Sequence, residues 1–84
     1  MKDILLYLVT VLVDHPDDLS IEERQDQDAI ILTIHANQED IGKIIGKNGR
    51  IIRALRDLMK VIAAKRNIYV DIEIHEDLDP KPLP

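Results

Sequence analysis

The sequence contains no cysteine, no phenylalanine and no tryptophan, and Tyr7 and Tyr69 are its only aromatic residues. The lack of cysteine excludes a disulfide framework, a thiolate metal site and a cysteine nucleophile, and it agrees with a reducing compartment. Two tyrosines are too few for the aromatic platforms on which RRM and OB-fold domains stack bases. We therefore expect a cytoplasmic domain with an aliphatic interior.

Long apolar runs are missing as well. The most apolar stretch, residues 4–13, has ten residues, whereas a membrane-spanning helix needs roughly 18 or more. The stretch follows Asp3 and lacks the small-residue cleavage site of a signal peptide. We expect neither a membrane span nor a secretory leader.

Aliphatic residues are abundant instead. The 84 residues include 14 isoleucines, 10 leucines and 5 valines, and 45% of the chain is hydrophobic, which argues against intrinsic disorder. A chain of this length buries roughly 60% of its unfolded surface, enough for one modest core but not for a deep active-site cleft. No nucleophile stands out with a base and an orienting group, so we expect no enzyme, no catalytic residue, no metal and no cofactor.

Acidic residues outnumber basic ones by 16 to 11, but the two signs are segregated along the chain. Residues 42–66 carry eight basic side chains against the single acid Asp57, a net charge of +7, while the rest of the chain carries −12. Such a basic block creates a local positive field that attracts anions. The block consists of Lys43, Lys47, Arg50, Arg53, Arg56, Lys60, Lys65 and Arg66.

Apolar spacing predicts a helix and two strands in the first half of the chain. Asp3 is positioned to cap a helix over residues 4–14, whose apolar residues have helical spacing. Period-two patterns predict an edge strand over residues 19–24 and a stronger strand over residues 30–36, joined by a polar hairpin.

Two helices and a last strand follow. Asn37 is a good cap for a short helix over residues 38–45, and the next helix covers residues 50–65. Asn67 can take the left-handed position after that helix. Residues 68–75 alternate strictly between apolar and polar, which predicts a strand.

The predicted order is therefore helix, strand, strand, helix, helix, strand. Two helices between the last two strands permit a parallel pairing through a right-handed crossover. The expected fold class is α+β, with a three-stranded mixed sheet and three helices on one face. Residues 1–76 form this single domain, and residues 77–84 form a mobile, proline-bearing tail with nothing to bury.

The long helix carries a continuous apolar face. Ala54, Val61 and Ala64 lie away from that face and are our candidates for an exposed dimer surface. Arg53, Arg56 and Lys60 form a basic stripe, which we expect roughly opposite the apolar face. The residues expected to be buried are Ile51, Ile52, Leu55, Leu58, Met59 and Ile62.

The tetrapeptide between the two helices is the most informative motif. Gly46 and Gly49 allow a tight turn and leave no side chain in the way of a ligand. The following helix offers unpaired backbone N–H groups and a partial positive charge at the same place. Lys47 and Arg50 add cationic side chains. Together these features favour binding of a sugar–phosphate backbone.

Rival phosphate-binding motifs are excluded by spacing. A Walker loop needs four residues between its first glycine and its Gly-Lys pair, and a Ser or Thr after that pair. Here only three residues separate Gly42 from Gly46, and Asn48 follows Lys47. A GxGxxG fingerprint is absent from the sequence. A hairpin turn at Asn48-Gly49 is disfavoured because helical spacing follows it.

Residues 44–52, Ile-Ile-Gly-Lys-Asn-Gly-Arg-Ile-Ile, resemble the isoleucine-glycine-x-x-glycine-x-x-isoleucine signature of the KH RNA-binding domain. The predicted order of elements is similar to the type II form of that domain. The chain most resembles the KhpA-like bacterial proteins, which are single KH domains of about this length. Residues 14–19 and 41–50 carry the similarity, which extends over residues 1–76.

The resemblance implies a protein that binds single-stranded RNA, as an RNA chaperone or post-transcriptional regulator. Four unpaired nucleotides would lie in a cleft beside the last strand, with the loop clamping their backbone and bases resting on aliphatic side chains. Homodimerisation, or pairing with a KhpB (Jag-like) RNA-binding protein, is also implied. The expected RNA-binding residues are Ile41, Ile44, Ile45, Gly46, Lys47, Asn48, Gly49, Arg50, Ile52 and Arg53.

Structural interpretations stand beside these. The isoleucines can belong to the core, the basic stripe can be a solvated surface, and the loop can be a plain helix–helix turn. Gly42 can serve helix packing alone. His35 and His75 share the outer sheet face near one end, but two histidines without a third ligand favour solvated side chains over a metal site.

A second function is consistent with the acidic charge outside the basic block. In that interpretation the protein is a dimerisation module that pairs with a KhpB-like partner and has weak or vestigial RNA binding.

Overall fold

The computed structural model describes residues 1–75 as a mixed three-stranded sheet with helices on one face, in the predicted order of elements. The predicted domain end at residue 76 and the tail at residues 77–84 lie outside the described residues. The elements are α1 (Lys2–Thr10), β1 (Ser20–Asp26), β2 (Ala29–His35), α2 (Gln38–Ile45), α3 (Arg50–Lys65) and β3 (Tyr69–His75), with short 3₁₀ turns at Pro16–Asp18 and Lys47–Gly49.

The sheet has β2 at its centre, antiparallel to β1 and parallel to β3. The hairpin between β1 and β2 is tighter than predicted, because β1 continues to Asp26, which pairs with Ala29. Gln27 makes the turn with a φ of 55°. The parallel pairing of β2 with β3 confirms the expected crossover through α2 and α3 and the α+β class.

The core lies between the helices and one face of the sheet. Leu32 and Ile72, partners in neighbouring strands, are both buried there. No helix within residues 1–75 has the length and apolar character needed to cross a membrane. The core consists of Leu5, Val9, Ile21, Leu32, Ile34, Ile44, Ile52, Leu55, Met59, Ala63, Val70 and Ile72.

The first helix differs from its prediction at both ends. It begins at Lys2 without a side-chain cap, so Asp3 lies inside the first turn rather than capping the helix. It ends at Thr10, four residues early. The reason is tertiary, because the backbone N–H groups of Asp14 and His15 donate to the carboxylate of Asp40 instead of continuing the helix.

The third helix has the predicted bounds but a shifted buried face. Leu58 is 44% exposed, so its predicted burial is wrong, while Ala63 is buried. Val61 is 61% exposed, as expected of a residue away from the apolar face. The core therefore includes Ala63 and leaves Leu58 outside it.

Candidate functional site

The connection between α2 and α3 folds as a 3₁₀ turn with an unusual backbone. Three of its four residues have positive φ: 77° at Gly46, 58° at Asn48 and 73° at Gly49. Asparagine tolerates this left-handed region better than most side-chain-bearing residues. The turn is closed by the Gly49 N–H, which donates to the Gly46 carbonyl at 3.1 Å. Local backbone chemistry therefore fixes the shape of the loop.

The two glycines of the loop are required for different reasons. A Cβ at Gly46 would lie 2.6 Å from Cγ1 of Ile51 and 2.9 Å from its backbone nitrogen. A Cβ at Gly49 would meet no atom closer than 4.0 Å. Gly46 is thus required by packing and backbone conformation, while Gly49 is required by its φ alone and leaves its outer side open.

The basic side chains around the loop point into solvent. Lys47, Asn48, Arg50 and Arg53 are all exposed. The carboxylates that form ion pairs or histidine contacts within residues 1–75 pair with His15, Arg24, His35 and Lys43, and with none of the basic side chains around the loop. Since α3 begins at Arg50, its positive N-terminal end adds to their field. The loop therefore concentrates positive charge that the described part of the chain leaves uncompensated.

Lys43 belongs to the same basic block but has a different environment. Its ammonium donates to the carboxylates of Asp14 and Asp40, the latter at 3.5 Å. The hydrogen bond with Asp14, above all, raises the pKa of Lys43. This lysine is bonded to neighbours within the protein, so its charge is not available to a ligand in the way that the charges of Lys47 and Arg50 are.

Asp40 is a buried carboxylate in the first turn of α2. Its side chain is fully buried and accepts hydrogen bonds from the backbone N–H groups of Asp14 (3.1 Å) and His15 (2.9 Å). Burial alone raises the pKa of Asp40, but these two hydrogen bonds, the charge of His15 and the bond from Lys43 outweigh it, and the net pKa is lowered. The ionised carboxylate joins the chain after α1 to the start of α2.

Only part of the predicted isoleucine floor is accessible. Ile44 is fully buried and Ile52 is 7% exposed, and both belong to the core. Ile41 and Ile45 are partly exposed on the same helix that leads into the loop. Burial therefore corrects the expectation that all four contact bases: Ile44 and Ile52 have almost no accessible surface, whereas Ile41 and Ile45 keep part of theirs.

The basic stripe on α3 does not lie opposite the apolar face. Arg56 is half-buried, and its Nε and Nη2 donate to the carbonyl of Ile72 at 3.2 and 3.0 Å. Lys60 borders a hollow shared with Tyr69 and Val70 of β3. The stripe therefore lies beside β3, because Arg56 is close to buried Ile52 on the helix surface. Sequence spacing gave no signal for the Arg56 contact.

Gly42 has no packing partner, so the helix-packing interpretation of this residue is wrong. A Cβ added there would meet nothing within 4 Å. Gly42 instead keeps the exposed surface of α2 open, one turn before the loop.

His35 and His75 lie together on the outer face of the sheet, as predicted. Their ring centroids are 4.6 Å apart, and His35 Nε2 lies 2.9 Å from a carboxylate oxygen of Glu22. Within the described part of the chain, no group of three or more His, Cys, Asp or Glu residues is arranged to hold a metal ion.

The sequence has clear relatives. Residues 2–74 match the family described as KhpA/KhpB, KH domain. An RNA-binding protein KhpA from Chlamydia caviae is 46% identical over 77 residues, which cover 92% of this chain and 99% of that protein. One from Clostridium perfringens is 40% identical over 74 residues (88% and 99%), and one from Listeria monocytogenes is 34% identical over 76 residues (90% and 100%).

Proposed function

The chain belongs to the KhpA/KhpB family of KH domains, and from this premise we propose that it binds single-stranded RNA through the Gly46–Gly49 loop. The observation that carries the proposal is the contrast in charge pairing. The exposed cations Lys47, Arg50 and Arg53 lie in and beside the loop at the N-terminus of α3 and have no carboxylate partner within residues 1–75. Relatives named as RNA-binding proteins support the same ligand.

The loop would hold the RNA by its phosphates. The open side of Gly49 lets a phosphate approach the backbone closely, and Lys47 and Arg50 can neutralise it. Each phosphate engaged releases counterions, so affinity falls with salt by about 0.7 log units per log unit of salt for each contact. Two to four contacts give a slope of about −1.4 to −2.8.

The bases would lie on the aliphatic surface beside the loop. Ile41 and Ile45 offer partly exposed side chains next to the clamp, and β3, an edge strand, would bound the cleft on its other side. KH domains clamp about four nucleotides in this way. Aliphatic contacts discriminate little between bases, so we propose modest sequence preference and a role as an RNA chaperone or post-transcriptional regulator in the cytoplasm. The protein would act by binding rather than by catalysis.

Lys47→Asp with Asn48→Asp tests this proposal. Two carboxylates at the clamp repel phosphates and oppose the field of the α3 N-terminus, so we expect RNA binding to be lost. Stability should change by no more than about 0.5–1 kcal/mol, since both side chains are exposed. RNA binding is measured by filter retention at several salt concentrations, and folding by circular dichroism.

The chain provides a matched control for that variant. Lys65→Asp with Asn67→Asp makes the same change of charge at the far end of α3, and Asn67 also has a positive φ of 58°. We expect this control to keep most of its RNA affinity. Equal losses in both variants would show that net charge rather than the loop governs binding, and a folded loop variant with undiminished affinity would contradict the proposal.

A second candidate function, pairing with another protein, is favoured by an apolar surface around α3. Leu58, Val61 and Tyr69 are 44%, 61% and 74% exposed. Tyr69 also lines a hollow with Ala64 and Ile68. We propose that this surface binds a second copy of the chain or a KhpB (Jag-like) RNA-binding protein. A dimer would bring two RNA clefts together.

Val61→Glu tests the pairing, with Val11→Glu as its control because Val11, directly after α1, is a valine of similar exposure, 71%. Linking two clefts makes the second contact intramolecular, so dimerisation should raise affinity for long RNAs and leave a tetranucleotide at about micromolar affinity or weaker. Sedimentation and binding series over RNA length are the measurements. A wild-type monomer whose affinity is independent of RNA length would contradict this candidate.

A further inference from the structure

Arg56 connects the two elements that would bound the RNA cleft. It lies on α3, and its guanidinium donates two hydrogen bonds to the carbonyl of Ile72 on β3. Residues 66–68 alone separate α3 from β3, so the helix and the strand run in opposite directions. The contact therefore ties the middle of α3 to the middle of β3.

Both polar groups of the Ile72 backbone, its N–H and its carbonyl, form hydrogen bonds with side chains of the protein. Its N–H donates to Oδ1 of Asp71 at 2.8 Å, while its carbonyl accepts from Arg56. Because β3 is an edge strand, alternate residues present these groups away from the sheet, where they could pair with another strand or a nucleobase. At Ile72 the protein's own side chains take that place.

We propose that Arg56 is a positioning residue for RNA binding: it sets the separation of α3 from β3, and with Asp71 it closes the sheet edge at Ile72. The inference rests on the proposed RNA-binding function. Arg56 would contact no phosphate itself, because it is half-buried and two of its donors are already used. Arg53, one turn nearer the loop and exposed, would contact phosphate directly.

The two arginines then have different signatures in salt titrations. Removing a phosphate contact reduces the steepness of the salt dependence by about 0.7. Removing a positioning residue weakens binding at every salt concentration without changing the number of counterions released. Arg53→Met and Arg56→Met form a matched pair, since both replace an arginine on the same helix by an unbranched side chain without donors.

For Arg56→Met we expect affinity for a tetranucleotide to fall about three- to tenfold, the equivalent of one net hydrogen bond, at an unchanged salt slope. For Arg53→Met we expect the slope to decrease by about 0.7. The carbonyl ¹³C shift of Ile72 should move in Arg56→Met and stay in Arg53→Met. Arg56→Lys keeps a hydrogen-bond donor at this position and should recover part of the affinity. It also serves as the folded variant if Arg56→Met is unstable.

The outcomes separate the two levels of the proposal. A decrease in slope for Arg56→Met equal to that for Arg53→Met would identify Arg56 as a phosphate contact and overturn the inference alone. Unchanged affinity in Arg56→Met with a moved Ile72 carbonyl shift would also overturn it. A wild-type protein that retains no RNA at low salt would overturn the proposed function, and the positioning role with it.

Discussion

The two ends of α2 differ in how their charges are partnered. At its beginning, Asp40 is buried and receives backbone hydrogen bonds from Asp14 and His15, and Lys43, three residues further along in the last turn of α2, donates back to Asp40 and to Asp14. At its end, the loop has exposed Lys47 with no carboxylate partner within residues 1–75. Both ends carry charge, but only the first uses it inside the protein.

This difference separates charges that stabilise the fold from charges available to a ligand. A buried, fully hydrogen-bonded carboxylate fixes the position of α2, because it costs free energy whenever its partners leave. The loop end depends instead on backbone conformation and the packing of Gly46, which hold its shape without using its side chains. The hydrogen bonds of Asp40 at the beginning of α2 thereby hold the loop at the other end of the helix in a defined position.

The largest effect should come from breaking the loop backbone. Gly46→Ala places a Cβ 2.6 Å from the Ile51 side chain at a φ of 77°, and we expect strain and overpacking to destabilise the fold by about 2–4 kcal/mol. Gly49→Ala has the same kind of φ but open space, so about 1–2 kcal/mol is expected. Urea unfolding of both variants is the measurement, and equal losses would contradict the packing difference.

The next effect should come from the anchored end. Asp40→Asn leaves one carbonyl oxygen for two backbone donors, and we expect Tm to fall by about 5–10 °C at pH 7. Asp57→Asn, at an exposed position of α3, is the control and should change Tm little. If Asp40→Asn left Tm unchanged, the hydrogen bonds that Asp40 accepts from Asp14 and His15 would not anchor α2.

The same variant has a predicted pH dependence. Because the pKa of Asp40 is lowered in the folded protein, its contribution is fully present above the ordinary value of 3.8 and is lost as the pH falls through the lowered value. The difference in Tm between wild type and Asp40→Asn should therefore be largest near neutral pH and shrink in acid. A difference in Tm that grows as the pH falls would contradict the lowered pKa of Asp40.

The smallest effect compares Lys43, which is bonded to the buried Asp40, with Lys47 of the loop. Lys47→Gln should weaken RNA binding about fivefold near 0.1 M salt and reduce the salt slope by about 0.7, as expected for one phosphate contact. Lys43→Gln should leave the slope unchanged, since its ammonium is bonded to Asp14 and Asp40, and should lower Tm slightly. The measurement is a salt titration of RNA binding for both variants. A reduced slope in Lys43→Gln as well would contradict the comparison.

Much of the fold follows from short-range patterns in the sequence. The bounds of α2 and α3 match their predictions because their signals are local: Asn37 accepts a hydrogen bond from the Glu39 N–H as a helix cap, and the glycines end and restart the helix. Strict alternation located β3, and Asn67 has the positive φ that it was expected to adopt. Each of these signals acts between residues a few positions apart.

The candidate site was only partly predictable for the same reason. The loop and its exposed cations could be identified from the motif, since glycine, asparagine and lysine carry their backbone and charge properties wherever they stand. The sequence could not show which isoleucines remain accessible, because Ile44 and Ile41 have the same chemistry and differ only in what packs over them. Burial is a property of the assembled layers.

The sequence by itself thus determined the order of elements, the shape of the loop and the location of the basic block. The tertiary structure alone decided where α1 ends, which cations stay free and how α3 is tied to the sheet. Asp40 meets the backbone of His15 across 25 residues, and Arg56 meets Ile72 across 16. Caps, φ preferences and apolar spacing act over one or two turns of chain, whereas such pairings form only when distant segments have been brought together by folding.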